Sequence, residues 1–194
     1  TVVDVWAHGA FTDVSALCDI PMLNNFCLNS TADLYENGGA VRFVGNPTEG
    51  ALLVAARGCG ADYKKMREEA HIADLYPFSS ETKNMTVCVQ GDGGFTVYTK
   101  GSPEKILALC NIGEQERRAA EEAIMGLQQR ARRVLAFAHK EVRERPQGRE
   151  QAEQGMIFDG FVGIADPLRA EVYDAVRACK TAGIQIKMLT GDNI

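Results

Sequence analysis

The period of the apolar residues changes several times along this chain, and each change predicts an element. Val2, Val3, Val5 and Trp6 give a β-prone opening ahead of Gly9. Val14, Leu17 and Cys18, then Leu23, Phe26 and Cys27, keep a spacing of three to four, which predicts helix on either side of Pro21. Asn37-Gly38-Gly39 predicts a turn, and 40–44 a strand that Gly45 ends. Asn46 suits an N-cap, Pro47 the first helical position and Glu49 the third position of a capping box, so a helix follows with Ala51, Leu52, Ala55 and Ala56 on its buried side. Gly58 and Gly60 stop it, and Tyr63, Met66, Ala70 and Ala73 predict a second helix that completes a helical hairpin.

The clearest local signal is a β-hairpin, 85–89 and 95–99 about Gln90-Gly91-Asp92-Gly93-Gly94, with Val87, Val89, Phe95 and Val97 available for packing. Over 114–131, Ala120, Ile124, Leu127 and Ala131 recur at i, i+4, i+7 and i+11 with arginines and glutamates opposite, the signature of an amphipathic helix. A short buried strand at 134–138 is followed by a stretch, 141–154, polar enough to predict an exposed loop. Strand at 158–165, helix at 169–182 with Val172, Val176 and Cys179 inward, and strand again at 184–189 imply a parallel strand–helix–strand unit. The fold class is therefore α+β: an antiparallel body over 1–157, flanked by helical hairpins, then the start of an α/β domain over 158–194. Two parallel strands leave edges and faces bare, so the second part belongs to something larger.

Composition narrows the function classes. Of 194 residues 45% are hydrophobic and 24% charged, which fits a globular protein and excludes disorder. The longest apolar run, 51–56, falls far short of the roughly 20 residues that cross a bilayer, so the chain is expected to be soluble, with no secretory leader and no direct membrane contact. A net charge of −5 without a basic arm argues against nucleic acid. Six cysteines without a C-x-x-C pair read as reduced, mostly buried thiols in a reducing compartment, and no metal site is expected. Because the chain begins at Thr1 and stops just after a glycine-aspartate turn, it reads as an excised fragment. Neither a Walker phosphate loop, G-x-S-x-G nor H-E-x-x-H occurs, and the isolated His8, His71 and His139 are assigned no role.

Chemistry is better sought beside the hairpin. Pro77-Phe78-Ser79-Ser80-Glu81-Thr82-Lys83 precedes it and Lys100-Gly101-Ser102-Pro103-Glu104 follows it, so antiparallel pairing sets the two segments side by side. An exposed Phe78 ring can stack on a purine, Lys83 and Lys100 can meet phosphates, and Gly101 would let a ligand approach the backbone closely. Spacing alone nevertheless favours Phe78 in the core and the lysines as solvated strand ends. Glu49 can accept from an exocyclic amine, although the capping box already gives it a local job. Arg133 can fork onto a phosphate or pair with a neighbouring carboxylate. Asp166-Pro167-Leu168-Arg169 and Thr190-Gly191-Asp192 end successive strands, where open α/β sheets place ligands and where turn-forming residues are equally at home.

These segments, together with Asn46-Pro47-Thr48-Glu49, Arg133-Val134-Leu135-Ala136 and Met188-Leu189-Thr190-Gly191-Asp192-Asn193, occur in the order and spacing of the type II P-type ATPases, which the chain resembles. The resemblance is greatest to bacterial calcium pumps of the plasma-membrane type, and it reverses the preference for a buried Phe78 and solvated lysines. It implies a cytoplasmic nucleotide-binding domain over 1–157 and, over 158–194, a hinge and part of a haloacid-dehalogenase-like phosphorylation domain. Phe78 resembles the adenine-stacking aromatic, Glu49 the adenine-side acceptor, Lys83, Lys100 and Gly101 the pocket lining and Arg133 the phosphate-side arginine. Asp166 and Arg169 resemble the hinge pair, and Thr190 and Asp192 catalytic support in the phosphorylation domain. ATP is the implied ligand, with Mg2+ in the parent enzyme and the parent's remaining domains as partners. The parent would be an ATP-driven cation translocase in the plasma or inner membrane. The D-K-T-G-T nucleophile and the G-D-G-x-N-D carboxylates do not occur in these 194 residues, so this part is expected to bind nucleotide without turnover. Two alternatives stand beside this reading: a haloacid-dehalogenase-type phosphatase fragment, and a non-catalytic interaction module docking through the polar 141–154 stretch.

Overall fold

A computed structural model describes residues 1–19, 21–165 and 170–187. Strand β1 (Val2–Ala7) turns back through His8 and Gly9 into β2 (Ala10–Thr12), and a 3-10 turn (Val14–Asp19) leads to helix α1 (Met22–Leu28). Hairpin β3 (Asp33–Asn37) and β4 (Ala40–Val44), helices α2 (Pro47–Gly58) and α3 (Tyr63–Glu69), and strands β5 (His71–Tyr76), β6 (Asn84–Gly91) and β7 (Gly94–Gly101) follow. The chain continues through α4 (Pro103–Leu109), α5 (Glu114–Gln129), β8 (Arg133–Val142), α6 (Arg149–Glu153), β9 (Ile157–Ile164) and α7 (Ala170–Thr181). Among the described residues β3 and β4 form a sheet of their own, and the other strands form a seven-stranded sheet in the order β2-β1-β9-β8-β7-β6-β5, every neighbour antiparallel.

Alternation along the strands sends side chains to two cores. On one face Phe137 and Val162 meet Met22 and Phe26 of α1 and Leu52 and Leu53 of α2, with the rings of Phe26 and Phe137 4.8 Å apart. On the other, Val97, Ala136 and Phe161 meet Ile106 of α4 and Ile124 and Leu127 of α5. Each fully buried Phe or Leu side chain contributes roughly 1.5–3 kcal/mol. The thiols of Cys27, Cys88 and Cys110 are buried, and burial pushes the Cys110 thiol up to about 12.

The amphipathic helix, the hairpin and the Asn46-capped helix form as their residues predict, with shifted ends. Helix α5 stops at Gln129 because Ala131 takes a left-handed φ of 54°. The hairpin is longer than expected and turns more tightly, through Asp92 and Gly93. Three expectations are corrected. The second helix ends at Glu69, since Ala70 is extended and 71–76 is the edge strand β5; the spacing of Ala70 and Ala73 was coincidental. The polar 141–154 stretch is not a loop throughout. Val142 still pairs with Phe95, and 149–153 is helical, tied to the body both by its backbone, where Lys140 Nζ donates to the Gln151 and Gln154 carbonyls at 2.7 Å, and by its side chains, where Arg149 Nη2 donates to Asn84 O at 2.8 Å.

The third correction concerns 158–165, expected to open a parallel unit in a second domain. Strand β9 lies between β1 and β8, antiparallel to both, within the body. Gly160 makes this possible: at φ +126°, a Cβ there would stand 2.0 Å from the Trp6 carbonyl oxygen, so only glycine lets the strands close. The second predicted strand does not begin within 184–187, and its remainder lies outside the described residues.

Candidate functional site

The predicted site residues that can be placed lie at or beside one end of the sheet. That end is formed by the start of β6, the end of β7, the start of β8 and the end of β9, in register Asn84↔Gly101↔Ala136 and Arg133↔Ile164. Asp166, Arg169, Thr190 and Asp192 lie outside the described residues.

Asn46 caps α2 through its side chain, accepting from Thr48 N at 2.8 Å. Glu49 does not complete a capping box. Its Oε2 accepts from Thr31 N and Thr31 Oγ1, both at 2.8 Å, and from Ala32 N at 3.1 Å, while Oε1 meets Lys100 Nζ at 2.7 Å. Several donors and a cation, supplied by a loop 17 or more residues away and by β7, outcompete the single local N–H. Lys100 also donates to the Asn29 carbonyl, and both members of the pair are buried. Burial pushes the Glu49 carboxyl up, but the Lys100 charge and the Lys100 and Thr31 hydrogen bonds outweigh it and hold the group below the usual range. Burial lowers the Lys100 ammonium, and Glu49 opposes that shift. Each group is satisfied by the other, so the pair closes one side of the site rather than presenting a free amine.

Residues 77–83 join β5 to β6 across this end. Ser79 Oγ bonds Thr82 Oγ1 at 2.8 Å, Lys83 N donates to Ser79 O at 2.9 Å, and Ser102 N donates to Lys83 O at 3.0 Å. These bonds hold Lys83 at φ 55°, a left-handed conformation that costs a non-glycine residue roughly 1–2 kcal/mol. The Phe78 ring on this loop is 62% exposed, which rules out the core position that spacing favoured. Lys83 is exposed as well.

Gly101 has a different use from the one expected. A Cβ there would stand 2.5 Å from Lys83 O and 2.7 Å from Asn84 Cβ, so the missing side chain admits the 77–83 loop to β7 rather than opening the backbone to a ligand. Arg133 is exposed at the start of β8, and its Nη1 donates to Thr48 Oγ1 at 3.1 Å, next in sequence to Glu49.

Sequence reasoning missed two arrangements. Arg149 and Glu153 of α6 form a salt bridge at 2.7 Å, and Arg149 also reaches Pro77 O at the start of the 77–83 loop and Asn84 O just after it; the i, i+4 spacing of opposite charge was the available signal. His139 Nδ1 lies 2.5 Å from Asp159 Oδ1, at a bulge where β9 has an extra residue against β8. Only the pairing of the two strands brings those residues together, so no local signal could have shown it.

An antiparallel sheet between two helical layers, with an exposed ring and cationic groups at one end, defines a mixed α/β domain. The chain belongs to the P-type ATPases: the model of that family's cytoplasmic domain N matches residues 20–171. It is 37% identical over 187 residues to calcium-transporting ATPase PAT1 of Dictyostelium discoideum, covering 89% of this chain and 17% of that protein. It is 37% identical over 177 residues to the cation-transporting ATPase pma1 of Synechocystis, covering 86% and 19%. It is 34% identical over 181 residues to a calcium-transporting ATPase of Bacillus subtilis, covering 87% and 20%. The chain thus spans about a fifth of the length of the curated relatives it matches. Among the described residues no helix is long and apolar enough to cross a membrane.

Proposed function

We propose that this chain binds ATP for a cation-transporting P-type ATPase, calcium being the ion that the relatives' names favour. The observation that carries the reading is the Phe78 ring, solvent-exposed on a loop fixed by its own hydrogen bonds and by Ser102. Exposing that ring gains nothing for folding, and a purine stacked on it would gain roughly 1–3 kcal/mol. Lys83 and Arg133 supply positive charge for the phosphates. The Glu49–Lys100 pair gives the site a rigid side; Glu49 Oε2 is occupied by Thr31 and Ala32 and Oε1 by Lys100, so Glu49 serves the adenine side by fixing that wall.

In this reading the body holds the nucleotide and a second domain holds the phosphorylated aspartate. Because β9 lies in the body, the passage between domains falls after Ile164, with Asp166 and Arg169 as the hinge and Thr190 and Asp192 as support beside the transferred phosphoryl group. The aspartate of D-K-T-G-T is not in these residues, so the chain alone binds ATP without hydrolysing it. Mg2+ would accompany the ATP in the longer protein, held chiefly by the phosphates; among the described residues no group of three or more His, Cys, Asp or Glu could hold an ion. The antiparallel placement of β9 removes the parallel pairing on which the phosphatase alternative partly rested; the threonine-glycine-aspartate turn that also suggested it lies outside the described residues.

The test is an ATP titration of the 15N-labelled chain. One stack and two or three partly exposed charged contacts, less association costs, give a Kd of roughly 0.1 to a few mM. Phe78→Ala and Lys83→Ala should each abolish the chemical-shift changes around 77–83, and unchanged shifts in both would defeat the assignment. Uptake of labelled calcium by vesicles carrying the longer protein tests the choice of ion.

A further inference from the structure

We infer that Arg149 is a positioning residue for the loop that carries Phe78 and Lys83, holding both of its ends with one guanidinium without touching the nucleotide. The inference rests on the ATP-binding reading of that loop. Arg149 Nη2 donates to Asn84 O at 2.8 Å and to Asn84 Oδ1 at 2.9 Å, immediately after the loop. Its Nη1 donates to Pro77 O at 3.5 Å, where the loop begins. Its Nε meets Glu153 Oε1 at 2.7 Å. The planar five-donor fork of arginine fits this spread of acceptors; a single ammonium does not.

The guanidinium is itself anchored. Glu153 is buried and accepts from Thr86 Oγ1 at 2.7 Å, and Thr86 in turn bonds Thr99 Oγ1 at 2.9 Å. Arg149 is thereby fixed to the middle pair of strands, β6 and β7, and passes that rigidity to the loop. Among the described residues the loop is otherwise held between its ends by bonds within itself, by Thr82 Oγ1 donating to Asn84 O at 3.5 Å and by Ser102 N donating to Lys83 O. The left-handed backbone of Lys83 persists only where its surroundings over-determine it. Without the fork the loop would sample other conformations, and apparent affinity falls in proportion to the fraction still competent. A loop ordered a tenth of the time would bind about tenfold more weakly.

Arg149→Ala and Arg149→Lys are compared with the unmodified chain and with Phe78→Ala by titration with ATP and with AMP, by amide hydrogen exchange without nucleotide, and by urea unfolding. The lysine variant keeps a cation beside Glu153 but cannot span Pro77 and Asn84. Both Arg149 variants should bind ATP and AMP more weakly by one common factor, about tenfold for alanine, since Arg149 meets neither phosphate nor base. The amides of Lys83 and Ser102 should exchange faster while those of β8 and β9 keep their protection. If alanine does not fold, the lysine variant decides. An unchanged Kd with unchanged exchange at Lys83 overturns the inference, as does a loss for ATP much larger than for AMP, which would make Arg149 a phosphate ligand. Unfolding of both variants also overturns it, because Arg149 would then serve the core. Failure of the unmodified chain to bind ATP, or full binding by Phe78→Ala, refutes the nucleotide reading instead, and the exchange rates still report whether Arg149 orders the loop.

Discussion

Replacing Lys100 by Met tests whether the Glu49–Lys100 pair holds the site end of the fold together. The Lys100 and Glu49 side chains are 6% and 10% exposed and 2.7 Å apart. Two unit charges at that distance attract by about 6 kcal/mol at an effective dielectric near 20, before the cost of desolvation is subtracted. Removing one partner of a buried pair costs about 3–5 kcal/mol because the other charge is left uncompensated. Glu49 keeps its Thr31 and Ala32 donors, so Lys100→Met should fall near the lower end, about 3 kcal/mol. That is a urea midpoint lower by roughly 1.5 M at a slope near 2 kcal/mol/M. The loss should depend on pH. In the unmodified protein Glu49 is held below its ordinary 4.5, so its contribution is present above 4.5 and is lost as pH falls through the folded value. Without Lys100, burial acts with less opposition and raises the group, so acid relieves the variant and narrows the gap. Adding Glu49→Gln to Lys100→Met should restore part of the stability, since an amide oxygen still accepts from Thr31 N without a charge. A loss under about 1 kcal/mol at pH 7, or a gap that does not change between pH 7 and pH 4.5, would refute the reasoning.

Gly101→Ala puts a Cβ 2.5 Å from a backbone carbonyl oxygen that cannot step aside, so it should cost about 1–3 kcal/mol; calorimetry showing no change would refute the close approach. The hydrogen bond that the His139 imidazolium donates to the Asp159 carboxylate raises His139 above 6.5 against the effect of burial, with the charges of Asp159 and Glu141 adding to the rise. Its contribution is therefore full below 6.5 and is lost as pH rises through the folded value, so Tm should fall from pH 6 to pH 8 by more in the unmodified protein than in His139→Gln. Arg145 pairs with Asp74 at 2.6 Å, but its side chain is 52% exposed, so Arg145→Ala should change stability by less than about 1 kcal/mol in urea unfolding.

What could be read from the sequence followed the range of the interactions. Asn46 before Pro47, the glycines about Asp92, and Ala120, Ile124 and Leu127 on one face each act within a few residues, and they form as those residues imply. Strand β5 was lost because two alanines continued a helical spacing by chance, while the evidence for a strand lies across the sheet in β6. The direction of β9 could not be read for the same reason: an apolar run states burial, not which neighbours it will pair with. The helical stretch 149–153 was hidden because dense charge reads as solvated, yet Glu153 is buried and its partners are Arg149 and Thr86.

The site shows the same division and gives it a physical meaning. Ring, lysine and glycine could be singled out by type, but exposure of Phe78, sequestration of Lys100 and the packing use of Gly101 are consequences of tertiary contact. The sheet brings two ion pairs to this end from opposite faces, the buried Lys100–Glu49 pair on the side of α1 and α2, and on the other the half-buried Arg149 of α6 with the buried Glu153. Buried pairs are poor sources of net stability, since well-packed apolar residues of similar volume often serve as well or better. Hydrogen bonds give them direction, however, and each pair also binds backbone that borders the site: Asn29 O and Thr31 N on one side, Pro77 O and Asn84 O on the other. Their placement is thus better explained by fixing geometry than by adding stability. A loop held this way before a ligand arrives loses less conformational entropy on binding, which is what the proposed nucleotide site, with one ring and few charges, requires.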